Sequence, residues 1–512
     1  MADEHRTPDE ARRERDGPGD VSRRTSGLGA WLAAALVFGS SAAVLVVELV
    51  ALRLLAPYYG LTLETNTFVI GLALTAIAAG TWAGGLAADR FAPRLLLGPL
   101  LGISGAAVAM TPTLVRGAAT TGDPSVLFFA ATMSVLGPGA LLSAVTPVVI
   151  KLRLTSLHQT GAVVGHLSGI GTVGAIVGTV VTGFVLISRV PVSGILVGLG
   201  VLLLVTSVAI QVAGRRGRGD AVLGLVVALA GVGAATTPSG CDVETTYHCL
   251  SVVTDADRPT GRVLVLDNLR HSYVDVADPT YLEFPYIQAM ASVVDTAFPE
   301  GEALAAYHLG AGGLTLPRYL DATRPGTTSR VSEIDAGVVA ADVRLLGDDF
   351  PRDTDVRIED GRLAIAELEP GALDLIVGDA FGGVSVPWHL ATVEAVGGLA
   401  DALAQDGVYV ANIIDHAPLA FARAAVVTTG EVFDHVVLFG DPAVLAGEGG
   451  GNLVAVASDA PVDVAAVAAR LDVRGLAWGH LAGDDLAAWV GDAQVLTDDH
   501  APVDQLLTPY GR

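Results

Sequence analysis

The sequence predicts a polytopic α-helical membrane domain of about seven spans followed by an acidic, doubly wound α/β domain. Three observations carry that reading. Hydrophobic residues make up 51% of the 512 residues and charged residues only 16%, whereas soluble domains carry about a quarter charged residues. The charge deficit is confined to residues 28–238. After residue 240 the long apolar runs give way to short ones, separated by turn residues and alternating between strand and helix character.

Residues 1–27 are polar with mixed charge and read as a disordered cytoplasmic tail, not a cleaved signal. Apolar runs follow at 30–52, 67–88, 95–115, 125–149, 161–187, 193–213 and 221–238. Each approaches the roughly 20 residues that cross a bilayer as a helix. Lipid offers no partner for backbone N–H and C=O groups, so helices are expected. Pro57, Pro138 and Pro147 are expected to end or kink helices. The glycines of the fifth run (165, 169, 171, 174, 178) suit close helix packing. Glu48 is the membrane candidate: a carboxylate inside a span is either functional or paired locally, here with Arg53.

Arginines precede the first run, and Arg90, Arg94, Lys151, Arg153, Arg215, Arg216 and Arg218 fill alternate loops. That bias places the N-terminus in the cytoplasm. With seven spans the C-terminal domain lies outside the cell; with six or eight it lies inside. Cys241 and Cys249 are the only cysteines. They form a disulfide if they face an oxidising compartment and are free thiols otherwise; two cysteines make no zinc site.

A net charge of -24 excludes a phosphate-backbone binder. In the C-terminal half, strands are predicted across 250–266, at Ala305–Leu309, Arg330–Asp335, Asp355–Ile358, Leu373–Val377 and Gly407–Ile414, and near 435–440 and 452–457, with helices from Tyr281 and Leu314. Alternation of this kind predicts a parallel sheet with ligands at the carboxyl ends of the strands. Polar residues fall at those ends. Gly310 and Gly312 form a turn after the first strand, where missing side chains let a ligand approach the backbone. Glu333 ends the second strand, placed to bind ribose hydroxyls. Asp360 follows the third and Asp379 the fourth. Together they predict a nucleoside pocket.

These residues sit in motifs that resemble the spermidine synthase family of aminopropyltransferases, and more closely its membrane-fused relatives. The matching stretches are Val265–Tyr273, Leu309–Gly313, Ser332–Asp335, Ile358–Arg362, Val377–Asp379 and Leu496–Asp504, with Leu54–Tyr58 in the membrane half. The resemblance implies a small N-terminal β-domain (239–300) on a methyltransferase-type Rossmann domain (301–512). It implies no prosthetic group; decarboxylated S-adenosylmethionine is the co-substrate. Gly310 and Gly312 would shape the nucleoside loop, Glu333 would take the ribose and Asp360 the adenine. His271 would lie near the sulfur end, Tyr286 would touch the acceptor amine, and Asp379 would remove its proton. A homodimer, the small-molecule amine and nucleoside, and the lipid bilayer are the expected partners. The chain departs from the family where Gly313 and Gly382 stand in place of two aspartates and Ile287–Gln288 in place of His-Glu. The acceptor therefore need not be putrescine. Two other functions are compatible with the sequence: a non-catalytic nucleoside- or polyamine-binding module regulating the membrane domain, and a transporter with an accessory soluble domain.

Overall fold

The computed structural model describes residues 28–59, 63–154, 160–187, 189–214, 241–267 and 269–508. Its N-terminal half is a bundle of helices α1 (Ala30–Tyr59), α2 (Leu63–Arg90), α3 (Pro93–Ala119), α4 (Pro124–Ser143), α5 (Val145–Arg153), α6 (Thr160–Val181) and α7 (Val192–Gly214). Counting α4 and α5 as one continuous stretch, and α6 with its π-helical extension Thr182–Leu186, six spans among the described residues are long and apolar enough to cross a membrane. The expected seventh run, 221–238, lies outside the described residues. Large apolar side chains face outward from the bundle, among them Trp82, Phe129 and Phe184.

The predicted run at 125–149 is broken at Ala144, three residues before Pro147, whose missing N–H removes a hydrogen bond from the preceding turn. Pro138, by contrast, stays inside α4 without ending it. Glycine packing is real but selective. A Cβ on Gly174 would lie 2.3 Å from the Phe38 carbonyl oxygen of α1, and one on Gly178 2.7 Å from that of Ala42, whereas one on Gly165 or Gly169 would meet nothing within 4 Å. Glu48 is half-buried on α1. The expected local pairing with Arg53 is not what forms. The Arg53 guanidinium sits 5.3 Å from the Tyr247 ring centroid, with Asp267 and Asp335 as the acidic charges acting on it.

The C-terminal half opens with an antiparallel sheet of β1 (Val243–Glu244), β2 (Cys249–Thr254), β3 (Gly261–Leu266) and β4 (Leu269–Asp275). Cys241 and Cys249 are joined by a disulfide beside its first turn. Helix α8 (Pro285–Ala297) follows, starting at Pro285, the favoured first helical position for proline, and not at Tyr281 as expected.

The larger sheet has eight strands: β5 (Ala305–Leu309), β6 (Thr328–Glu333), β7 (Thr354–Ile358), β8 (Leu373–Gly378), β9 (Leu403–His416), β10 (His435–Gly440), β11 (Gly450–Ser458) and β12 (Gly479–Ala482). Their spatial order is β12-β10-β11-β9-β8-β5-β6-β7. Strands β5 to β9 are parallel, in the doubly wound order third-second-first-fourth-fifth. The β9–β11, β10–β11 and β10–β12 pairs are antiparallel. The sheet is thus mixed, not uniformly parallel as expected. The connection from Gly440 to Gly450 is too short for a parallel crossover, which takes a dozen residues or more. This is the Rossmann-like arrangement of methyltransferase-type domains. Its apolar core lies on both faces of the sheet, around Leu375, Val377, Val410 and Phe439 on one side and Ile376, Tyr307 and Leu399 on the other.

The two halves touch. Glu244 is almost fully buried, paired with Arg116 at the end of α3 and accepting from the Ser193 hydroxyl and backbone N–H at the start of α7 at 3.0–3.2 Å. The Leu63 N–H at the start of α2 donates to Asp504 at 3.1 Å. At the opposite end of the bundle Lys151 donates to Asp89 at 2.6 Å and Arg153 to the Leu28 carbonyl at 2.9 Å.

Candidate active site

Strand order reverses between β5 and β8, where the loops after neighbouring strands diverge and leave a crevice. A cavity of about 210 Å³ fills it. Its wall includes all seven soluble-domain residues singled out in the sequence: His271, Tyr286, Gly310, Gly312, Glu333, Asp360 and Asp379. Glu48 lies in the helical bundle, apart from them.

Gly310 adopts φ 97°, and a Cβ there would lie 2.4 Å from the Asp379 carbonyl oxygen. Only glycine allows the β5 turn to cross so close to the end of β8. Across this contact the Asp379 N–H donates to the Leu309 carbonyl at 3.0 Å, which fixes where Asp379 begins its loop. Gly312 has ordinary space, its nearest contact being Ser272 at 3.7 Å. Gly313, at φ 73°, has none: a Cβ would lie 2.3 Å from Ser272 Oγ and 2.7 Å from Val274, so β4 packs where any side chain at this position would project. Gly382 has room, with only the Ser385 carbonyl oxygen within 4 Å, at 3.9 Å.

Glu333 ends β6 and accepts the backbone N–H groups of Ala311 at 3.0 Å and Asp335 at 2.8 Å. Burial nevertheless raises its pKa. Asp360 caps helix α11 (Gly361–Ile365), which follows α9 (Thr315–Thr323) and α10 (Ala336–Leu346); it accepts from the N–H groups of Arg362 and Leu363, and His389 Nε2 stands 3.8 Å away. Asp342 on α10 accepts the Gly313 N–H at 3.1 Å; it is buried, and its pKa is driven well above the carboxylate range by that burial and by Glu333.

Asp379 is half-buried, and desolvation pushes its pKa up to about 6, against the pull of hydrogen bonds from Asn412 and Tyr286. Asn412 Nδ2 donates to Asp379 Oδ1 at 2.8 Å, and Asn452 Nδ2 donates to Asn412 Oδ1 at 2.9 Å. The Tyr286 hydroxyl lies between Asp379 and the His271 carbonyl, 3.5 Å from the latter. Such a carboxyl, half-ionised near pH 6 and held in one orientation, suits proton transfer.

Sequence reasoning missed four neighbours. Asn412 and Asn452 orient Asp379, His308 lines the cavity from β5, and His248, whose Nδ1 lies 3.0 Å from Asp267, lines it from the β1–β2 turn. Asn412 and His308 carried a signal: each is a lone polar residue inside an apolar strand run.

No family model matches the chain, and no curated protein does. Solved structures do. A probable spermidine synthase from Corynebacterium glutamicum is 27% identical over 51% of this chain and 97% of its own, with a TM-score of 0.47. The spermidine synthase from Thermotoga maritima is 17% identical over 53% of this chain and 84% of its own, with a TM-score of 0.33. A spermidine synthase in complex with the transition state analogue AdoDATO is 17% identical over 51% of this chain and 82% of its own, with a TM-score of 0.34. The similarity to solved spermidine synthases therefore concerns about half of the chain, its C-terminal region.

Proposed function

We propose that the chain is a membrane-anchored transferase of the aminopropyltransferase type, moving a propylamine group from a sulfonium nucleoside, decarboxylated S-adenosylmethionine, to an amine. The carrying observation is Asp379: a half-buried carboxyl with a pKa of about 6, held by Asn412 and Tyr286 in the same cavity as Glu333 and Asp360. In this reading Glu333 and Asp360 hold the ribose and adenine, and Gly310 and Gly312 let the nucleoside approach the backbone. A sulfonium already leaves readily, so the protein's tasks are to align an amine with the carbon and to take its proton. Asp379 is suited to the second task. The six apolar helices and their outward aromatic residues support a bilayer location for the N-terminal half.

The test is release of methylthioadenosine by the full-length protein in detergent, supplied with decarboxylated S-adenosylmethionine and a panel of amines. Asp379→Asn is expected to lower kcat by about 10²-fold or more, the range for loss of a general base, while nucleoside affinity measured by calorimetry stays within a few-fold. An Asp379→Asn protein as fast as wild type would sink the reading.

A further inference from the structure

Two imidazoles that line the cavity each have one ring nitrogen without a partner among the described residues. They are His308, which is buried, and His271, which is half-buried, and the unpartnered atom in each is a buried Nε2. Buried polar atoms are rarely left unpaired, and two in one cavity point to a ligand that completes them. Both stand near Asp379. The His271 carbonyl shares the Tyr286 hydroxyl with it, and His308 lies on β5, which pairs with β8, the strand that Asp379 follows.

Their chemistry limits what they hold. Burial keeps both rings neutral, with pKa values lowered to about 4 for His271 and about 3 for His308, in His271 with help from the charge of His248. They offer hydrogen bonds and no compensating charge. Asp379 is the carboxylate that follows β8 at this end. Glu283 also lines the cavity, but it accepts the Tyr281 hydroxyl at 2.5 Å and shares the wall with the Arg270 guanidinium. One ammonium can be matched here. A second would face neutral rings and a cation, at a desolvation cost with little return.

Resting on the transferase reading, we propose that the acceptor is an amino alcohol, its amine at Asp379 and its hydroxyl on the His271 and His308 nitrogens, and not a diamine. The acceptor enters as an ammonium and gives one proton to the Asp379 carboxylate. Its freed lone pair forms the new bond to the propyl carbon of the donor. The carbon–sulfur bond breaks, and its electron pair leaves on sulfur as the neutral thioether. The sulfonium charge reappears on the secondary ammonium of the product, so atoms and charge balance.

The probes are 4-aminobutan-1-ol, putrescine and n-butylamine, titrated calorimetrically into the full-length protein in detergent, with and without methylthioadenosine. The amino alcohol is expected to bind about tenfold more tightly than the other two, a difference the size of one or two hydrogen bonds. His308→Phe is expected to remove that advantage and to leave n-butylamine within about twofold, since the butyl chain makes no hydrogen bond to lose. Putrescine binding as tightly as the amino alcohol, or none of the three binding, overturns the proposal, and the wild-type comparison stands even if His308→Phe fails to fold. The affinity order is independent of turnover. Absence of methylthioadenosine release with every amine would instead sink the transferase reading.

Discussion

Asp379 sets two opposing demands on one side chain. Its folded-state pKa of about 6 lies above the ordinary 3.8, so the folded protein keeps this proton over a range in which the unfolded chain has lost it. Ionisation therefore opposes folding: the penalty begins near pH 4, grows as pH rises to about 6 and is constant above that. Asp379→Asn is expected to stabilise the protein at pH 7.5 by up to about 3 kcal/mol, the free-energy equivalent of the shift, with the gain gone near pH 4. Thermal unfolding at the two pH values reads this. Activity moves the other way. The logarithm of kcat/KM should rise with pH to an inflection near 6, and Asn412→Ala should shift that inflection upward, because it removes a hydrogen bond that favours the carboxylate. The site's acids were legible in the sequence because each ends a strand beside a turn, and the motif resemblance named the same residues. The amides behind Asp379 were not. Asn452 reaches it only through Asn412, across two antiparallel strands whose pairing no local pattern announces.

At the level of single elements, the sequence revealed existence better than direction or termination. Strand positions from β5 to β11 were legible from short apolar runs. That β11 runs against β9 was not, because hydrophobic periodicity is the same in either direction. The brevity of the Gly440–Gly450 connection was the available clue. Among the helices, small residues announced packing without saying which of them packs. The crossing of α6 on α1 supplies that distinction. Gly174→Ala places a methyl against the Phe38 carbonyl and is expected to cost about 1–3 kcal/mol, as overpacking does. Gly169→Ala enters open space and is expected to be neutral, or to gain up to about 1 kcal/mol of helix propensity. Thermal unfolding of the two variants in detergent separates them. Equal losses would mean that the helices cross elsewhere.

At the scale of the whole molecule, the soluble half rests on the ends of α1, α3 and α7 near Arg53, Arg116 and Ser193. The loop bearing Arg90 and Arg94 and the one bearing Lys151 and Arg153 lie at the other end. If the basic loops face the cytoplasm, as the charge rule expects, the soluble domain lies on the other side, where a disulfide is chemically compatible. A membrane-impermeant reductant followed by an impermeant maleimide is expected to label Cys241 and Cys249 in intact cells. Labelling only after permeabilisation would place the domain inside. The docking residues were hidden, because Glu244 and Tyr247 are far in sequence from their partners Arg116 and Arg53.

The turn between β1 and β2 has two faces in one short stretch: Glu244 holds the helices, and four residues later His248 lines the cavity. Cutting the chain before Cys241 to obtain a convenient soluble fragment would strip a buried carboxylate of both its partners and Tyr247 of its cation, and an orphaned buried charge is costly enough to remodel its surroundings. The soluble half is not separable from the helical bundle as a cartridge is from its holder. An inactive fragment would report on the amputation, and specificity measured on it would belong to a reshaped pocket.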